Sequence, residues 1–216
     1  AGVFTGSSVL PDFGGVSTLV ISAGNDNYTV EVNGVSSGEL TLTAGTYTSG
    51  ASLANEIQAQ INGASALVDA GITVAVSYDS VSDSIAITSN TLGAESSVNI
   101  LAAETADIGL SAASGTDGVD VAGSIAGITA TGIGNVLTGA AGSGAQGLSL
   151  VIGGTATGSR GNVNFTRGLS NQLDNLLGQI LQADGPLESR LDSYEERLKD
   201  VTERRAALEL KWSAVE

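Results

Sequence analysis

Beginning at Leu187, apolar side chains fall at Leu187, Leu191, Tyr194, Leu198, Val201, Leu208, Trp212 and Val215, and Arg205 takes the one place where an apolar residue is due. The steps alternate four and three. A repeat of 3.5 residues belongs to a helix that supercoils about another helix, because it keeps one narrow seam turned toward the partner. With Leu191 at position a, the g positions are Arg190, Arg197, Arg204 and Lys211, and the e positions are Glu195, Thr202 and Glu209. A uniformly basic edge beside an apolar seam selects partners. A parallel self-pair would set Arg190 against Glu195 and Arg204 against Glu209. An antiparallel self-pair would set arginine against arginine, so an antiparallel mate has to be another segment with acidic flanks. No other stretch of the sequence carries such a seam.

The chain ahead of this helix follows other periods. Its 42% hydrophobic residues include few aromatics, 4% of the whole, and 30 residues are glycine. Small and β-branched side chains suit strands and turns. Leu19 and Ile21, then Tyr28, Val30 and Val32, alternate with polar neighbours on either side of AGNDN, which predicts a hairpin. A third strand covers Leu40 and Leu42. In SGASLANEIQAQINGA the period changes: Leu53, Ile57 and Ile61 stand four apart on one helix face, and Gly63 is placed to end the helix. Ile72, Val74, Val76 and Tyr78 then alternate, DSVSD turns the chain, and Ile85 and Ile87 return it.

Farther on, GLSAASGTDG at 109–118 reads as a boundary or long loop. Val119, Val121, Ile125, Ile128, Val136, Leu137, Leu148, Leu150 and Ile152 follow in short Gly-punctuated segments, the pattern of a second small β unit. From Leu169 the period is helical. Leu169, Leu173, Leu176, Leu177, Ile180 and Leu181 form a stripe broad enough to dock on a globular body, and ADGP breaks it with Pro186 set to start the next helix.

Charge divides the chain at the same place. The net charge is −15, yet all eight basic residues lie at or after Arg160; residues 1–159 hold 13 carboxylates and no Lys or Arg. A body without a cation cannot neutralise phosphates, so neither nucleic acid nor an anionic membrane is an expected partner. No run approaches the ~18 consecutive apolar residues of a membrane span, and the opening AGVFTGSSVLPDFGG has neither a basic start nor an apolar run, so a soluble chain without a secretory signal is expected.

The chemistry of sites is thin. The absence of Cys, His and Met removes disulfides, thiolate and imidazole metal ligands and the usual Cys or His nucleophile systems. GGTATGSRG has the glycine spacing of a phosphate loop from Gly153 to Gly158, but Ser159 and Arg160 stand where Lys and Ser or Thr are required. NDN at 25–27, DSVSD at 79–83 and DGVD at 117–120 lack the spacing of a calcium loop and read as turn residues that bond their own backbone. Four Tyr, three Phe and one Trp leave little for the walls of a sugar cleft. No catalytic, cofactor-binding or metal site is expected, and the chain is read as a non-enzyme.

Two stretches carry a family resemblance. TAGTYTSGASLANEIQAQINGASAL at 43–67, with the alternating VAVSYDSVSDSIAITS after it, resembles the flagellin hook motif of flagellins and hook proteins. GLSLVIGGTATGSRGNVNFTRGLSNQLDNLLGQIL at 147–181, leading into the heptads, resembles the C-terminal part of the bacterial flagellar filament-capping family, also called hook-associated protein 2. The resemblance covers most of the chain beyond about residue 35, and its second stretch is the more specific.

That resemblance implies an α+β fold: a β-rich head of two small domains, one with a single amphipathic helix, followed by C-terminal helices that belong to an antiparallel coiled coil. The expected divisions are 1–110, with the hook motif at about 35–95, then 111–168, then 169–216 as the start of a leg. The mate of the heptad helix would be an N-terminal helical segment preceding Ala1. The family role is that of a structural assembly factor, an extracellular cap at the distal tip of the flagellum, exported by the flagellar export apparatus. Its implied partners are further copies of itself in a ring, flagellin, the filament end and, for adhesion, host mucin. A flagellin or hook–filament junction protein, or an adhesin binding host mucin or other glycans, is the alternative.

Overall fold

The structure is a computed structural model that describes residues 1–7, 13, 17–104, 108–166, 168–182 and 185–214, without the side chains of 169–172, 174 and 175. The chain is a mixed α+β protein, rich in strands, with helices at its C-terminal end. It divides into two compact units, Ala1–Gly158 and Ser159–Glu216.

The first unit begins with β1 (Val3–Thr5), β2 (Leu19–Ile21), β3 (Asn27–Val32), β4 (Val35–Thr41) and β5 (Gly45–Tyr47). Next come α1 (Gly50–Gly63), α2 (Ser65–Asp69), β6 (Val74–Asp79), β7 (Ser84–Ser89), β8 (Val98–Ala103) and β9 (Ala113–Ser114). Four antiparallel strands run in the order β4-β3-β8-β9, three in the order β1-β7-β6, and β2 pairs with β5. Period-2 alternation sends one face of each strand inward: Tyr28, Val30 and Val32 from β3, Ile85 and Ile87 from β7, Val98 and Ile100 from β8. Onto them α1 lowers Leu53, Ile57 and Ile61, all fully buried, each contributing about 1.5–3 kcal/mol. Ser49 caps this helix, its side chain accepting from the amide of Ser52, and the helix ends at Gly63 as the sequence predicts.

The predicted hairpin between β2 and β3 does not form. Both strands exist, but β2 lies beside β5 while β3 is flanked by β4 and β8. Alternation reports which face of a strand is buried and says nothing of its neighbour. The hairpin signal lies one turn later, at Asn33-Gly34, where φ is 52° and 77° and Val32 faces Val35. Two successive left-handed residues make the turn whose twist matches that of the strands. Asn33 also holds the tip in place. Its Oδ1 accepts from the Ser97 amide at 3.0 Å and the Ser89 hydroxyl at 3.1 Å, and its Nδ2 donates to Thr91 Oγ1 at 2.8 Å.

The stretch 109–118 is likewise not a free loop. β9 pairs with β8, Thr116 and Val3 exchange backbone hydrogen bonds at 2.7 and 2.8 Å, and the Gly118 amide donates to the Ser96 carbonyl at 2.7 Å. Gly115 is there for room: a Cβ on it would come within 2.5 Å of the carbonyl oxygens of Val98 and Val3. Close backbone approach leaves the same small-residue composition as flexibility does.

A separate meander follows, β10 (Gly123–Ile125), β11 (Ile128–Ile133), β12 (Val136–Thr138) and β13 (Ser149–Val151), paired in that order. Its buried Ala130, Leu137 and Ala145 stand apart from the main core, which runs from Phe4 to Leu110. The second unit contains α3 (Leu169–Leu181) and α4 (Pro186–Ser213), which touch each other.

Candidate interaction site

Helix α4 runs for 28 residues, about 42 Å. Pro186 sits at its first position, where a missing N–H costs nothing, Glu188 lies in the positive first turn and Lys211 in the negative last turn. Two i,i+4 pairs brace the exposed surface: Arg204 with Asp200 at 3.0 Å and Arg205 with Glu209 at 3.0 Å. Each contributes about 0.3–0.5 kcal/mol. Thr202 turns its hydroxyl to the Leu198 carbonyl at 2.7 Å.

None of this explains the seam, because α4 buries no residue. Leu187, Leu191, Tyr194, Leu198, Val201, Leu208 and Trp212 are between 46% and 74% exposed. The helix therefore gathers every described member of the seam on one face and covers none of them; Val215 lies outside the described residues. Arg205, which interrupts the seam, reaches one turn forward along the helix to pair with Glu209 at an e position. Of the g residues, Arg204 is engaged with Asp200, while Arg190, Arg197 and Lys211 take part in neither pair, and Glu195 stands on the opposite edge.

On α3, Leu173, Leu176, Leu177 and Leu181 are all about half exposed or more and Ile180 is half-buried; the side chain of Leu169 lies outside the described residues. A period of 3.6 shows that residues share a face, and coverage of that face is a separate matter. Leu210 is 71% exposed off the seam and was not singled out by the heptad count.

The other sequence candidates resolve into local structure. Gly153 to Gly158 is followed by no helix, so the glycine spacing does not present a helix N-terminus to a phosphate. Asp79 accepts from the Val81 amide at 2.9 Å and the Ser82 hydroxyl at 2.8 Å, the turn role expected of it. Asp83 receives the Tyr78 hydroxyl. Asp120 reaches farther than a turn residue does, accepting at Oδ1 from the amides of Ala94 at 2.9 Å and Gly134 at 2.8 Å. No group of three or more carboxylates is placed to hold a metal among the described residues. Compared with protein-family models, with curated proteins and with solved structures, the chain matches none.

Proposed function

We propose that the chain is part of a bacterial flagellar filament cap, a structural assembly factor that sits at the distal tip and promotes insertion and polymerisation of exported flagellin. The observation that carries this reading is the bare seam of α4: a heptad face exposed along the whole helix, edged by Arg190, Arg197, Arg204 and Lys211. Most of a helix's stability comes from packing its apolar face, and a continuous exposed apolar stripe marks an interaction surface. On this reading α4 is half of an antiparallel leg. Its mate is a helix from the N-terminal region of the same protein, presenting acidic residues to the basic edge. The acidic β-rich part, read as two head pieces, forms the plate, and copies assemble into a ring. The protein works outside the cell after export through the flagellar apparatus, and host mucin is a further partner for adhesion.

Replacing Leu191, Leu198 and Leu208 with Ala in the full-length protein removes three anchors at about 2–5 kcal/mol each if they are buried in a leg. The variant is expected to be exported but to fail at the tip, releasing unpolymerised flagellin into the medium and leaving filaments short. Reversing Arg190, Arg197 and Arg204 to Glu gives a milder defect, since flanking charges choose partners more than they hold them. Filaments of normal length from a strain whose only copy carries the triple Leu change, with its leg shown to be unfolded, would overturn the reading.

A further inference from the structure

Every carboxylate of residues 1–159 lies at or before Asp120, and between Val121 and Ser159 the sequence has no ionisable side chain at all. This neutral stretch folds into the meander of β10 to β13. Register sorts its residues by face. Ile133, Val136 and Val151 stand opposite one another across three strands, and Thr131, Thr138 and Ser149 form the next row of the same face. The opposite face carries the buried Ala130 and Leu137. The first face is open: Ile133 and Val151 are each 73% exposed, Thr131 and Ser149 are exposed, and the Thr138 and Ser149 hydroxyls lie 3.3 Å apart. The edge strands β10 and β13 contain no charged residue and no proline, the usual guards of a sheet edge.

We propose that this neutral sheet is the surface by which the head meets a second copy of the chain. Electrostatics selects the occupant. Two heads approaching through residues 1–120 bring carboxylate against carboxylate with no cation between them, whereas approach through the meander holds those charges farther apart and lessens the repulsion. A basic partner would settle on the acidic region instead. Hydroxyl rows suit a like surface because each hydroxyl both donates and accepts, and the row of β-branched apolar residues beside them gains by leaving water. The inference goes beyond the cap reading: like faces join copies two by two, a contact separate from the head-to-tail contacts that close a ring, and it rests on that reading for the presence of neighbouring copies. A contact this small is weak in isolation and becomes effective when legs hold the heads together.

Sedimentation of this chain up to about 1 mM tests it without flagellin or filaments. Association is expected to rise with concentration and to strengthen as salt screens the acidic regions. Ile133→Glu and Val151→Lys are each expected to weaken it about tenfold or more, by placing a charge in the contact. An equimolar mixture of the two variants should recover part of the loss. Both positions are exposed, so the melting temperature should stay within a degree or two of the parent and separates lost contact from lost fold. Association that neither variant alters, or that salt abolishes, would overturn the proposal, as would its absence at high salt and the highest concentration. Failure here alone leaves the cap reading to the flagellin-release experiment, and failure of that experiment alone leaves a self-associating head in some other assembly.

Discussion

The Asp120 carboxylate joins two parts of the first unit that share no strand: Ala94 lies in the connection between β7 and β8, and Gly134 in the turn between β11 and β12. The Val121 amide reinforces the link by donating to the Gly134 carbonyl at 2.8 Å. A charged acceptor on two amides favours the ionised form, and the hydrogen bond from Ala94, then that from Gly134, lowers the pKa of Asp120 below its ordinary value. A folded-state pKa below the unfolded one gives stability that is present above about pH 3.9 and disappears as the pH falls through the folded value. Asp120→Ala should therefore lower the melting temperature at pH 7, and the gap to the parent should close as the pH drops below about 4. Glu56 is also lowered, chiefly by the Thr43 hydroxyl, and Asp79 by the Val81 amide, so the parent itself loses stability in acid. The difference between the two melting curves isolates Asp120. An equal gap at pH 7 and pH 3 would show that the carboxylate acts by shape alone. Nothing in DGVD announces this role, because the residues that Asp120 meets are 26 and 14 positions away. Asn33 differs: Asn-Gly between alternating strands signals its turn locally, though not its bonds to Ser89, Thr91 and Ser97.

Among the elements, α1 does two jobs with two faces. Leu53, Ile57 and Ile61 fill the core, and the period of four makes that face legible in the sequence. The polar flank covers an edge. β6 ends its sheet, and along it Asn62 Oδ1 accepts from the Val74 amide at 2.8 Å, Asn62 Nδ2 donates to the Val74 carbonyl at 3.0 Å, and Gln58 Oε1 accepts from the Val76 amide at 2.8 Å. Two amide side chains one turn apart thus stand in for a neighbouring strand. Asn62→Ala should destabilise the fold by about 1–3 kcal/mol and Gln58→Ala by about 1 kcal/mol, since each leaves backbone groups of β6 without their partners. Denaturant titration gives the sizes, and hydrogen exchange should quicken at Val74 and Val76. Unchanged exchange there would mean that water or another group serves the edge as well. What the sequence conceals is pairing of this kind. β1 and β9 are too short to show a period, and β8 places Val98 and Ile100 inward but ends in exposed Leu101 and small alanines. The start of α4 at Pro186 was legible because proline fits the first helical position, whereas the start of α3 at Leu169 shows only in the change of period.

At the scale of the whole molecule the two units differ in what holds them together. Residues 1–158 contain the continuous core from Phe4 to Leu110, with Ile57, Ile61, Ile85 and Ile87 fully buried, whereas α4 buries nothing. Stability should divide accordingly. Nucleating a helix is costly, and helices draw most of their stability from packing an apolar face, so α4 with none of its face covered is the less stable element and gains most from a mate. In a dilute, monomeric sample, hydrogen exchange from Leu187 onward should be fast, while β3, β7, β8 and α1 exchange only by global opening. Removal of residues 159–216 should leave the melting temperature of the first unit within a few degrees, because none of its core residues comes from that segment. Adding a peptide with heptads and acidic flanks should slow exchange along α4 first at Tyr194, Leu198 and Val201, the members of the seam farthest from fraying ends. Strong protection of those residues in a sample shown to be monomeric would mean that α4 is stable by itself, and the exposed seam would then need an explanation other than a waiting partner.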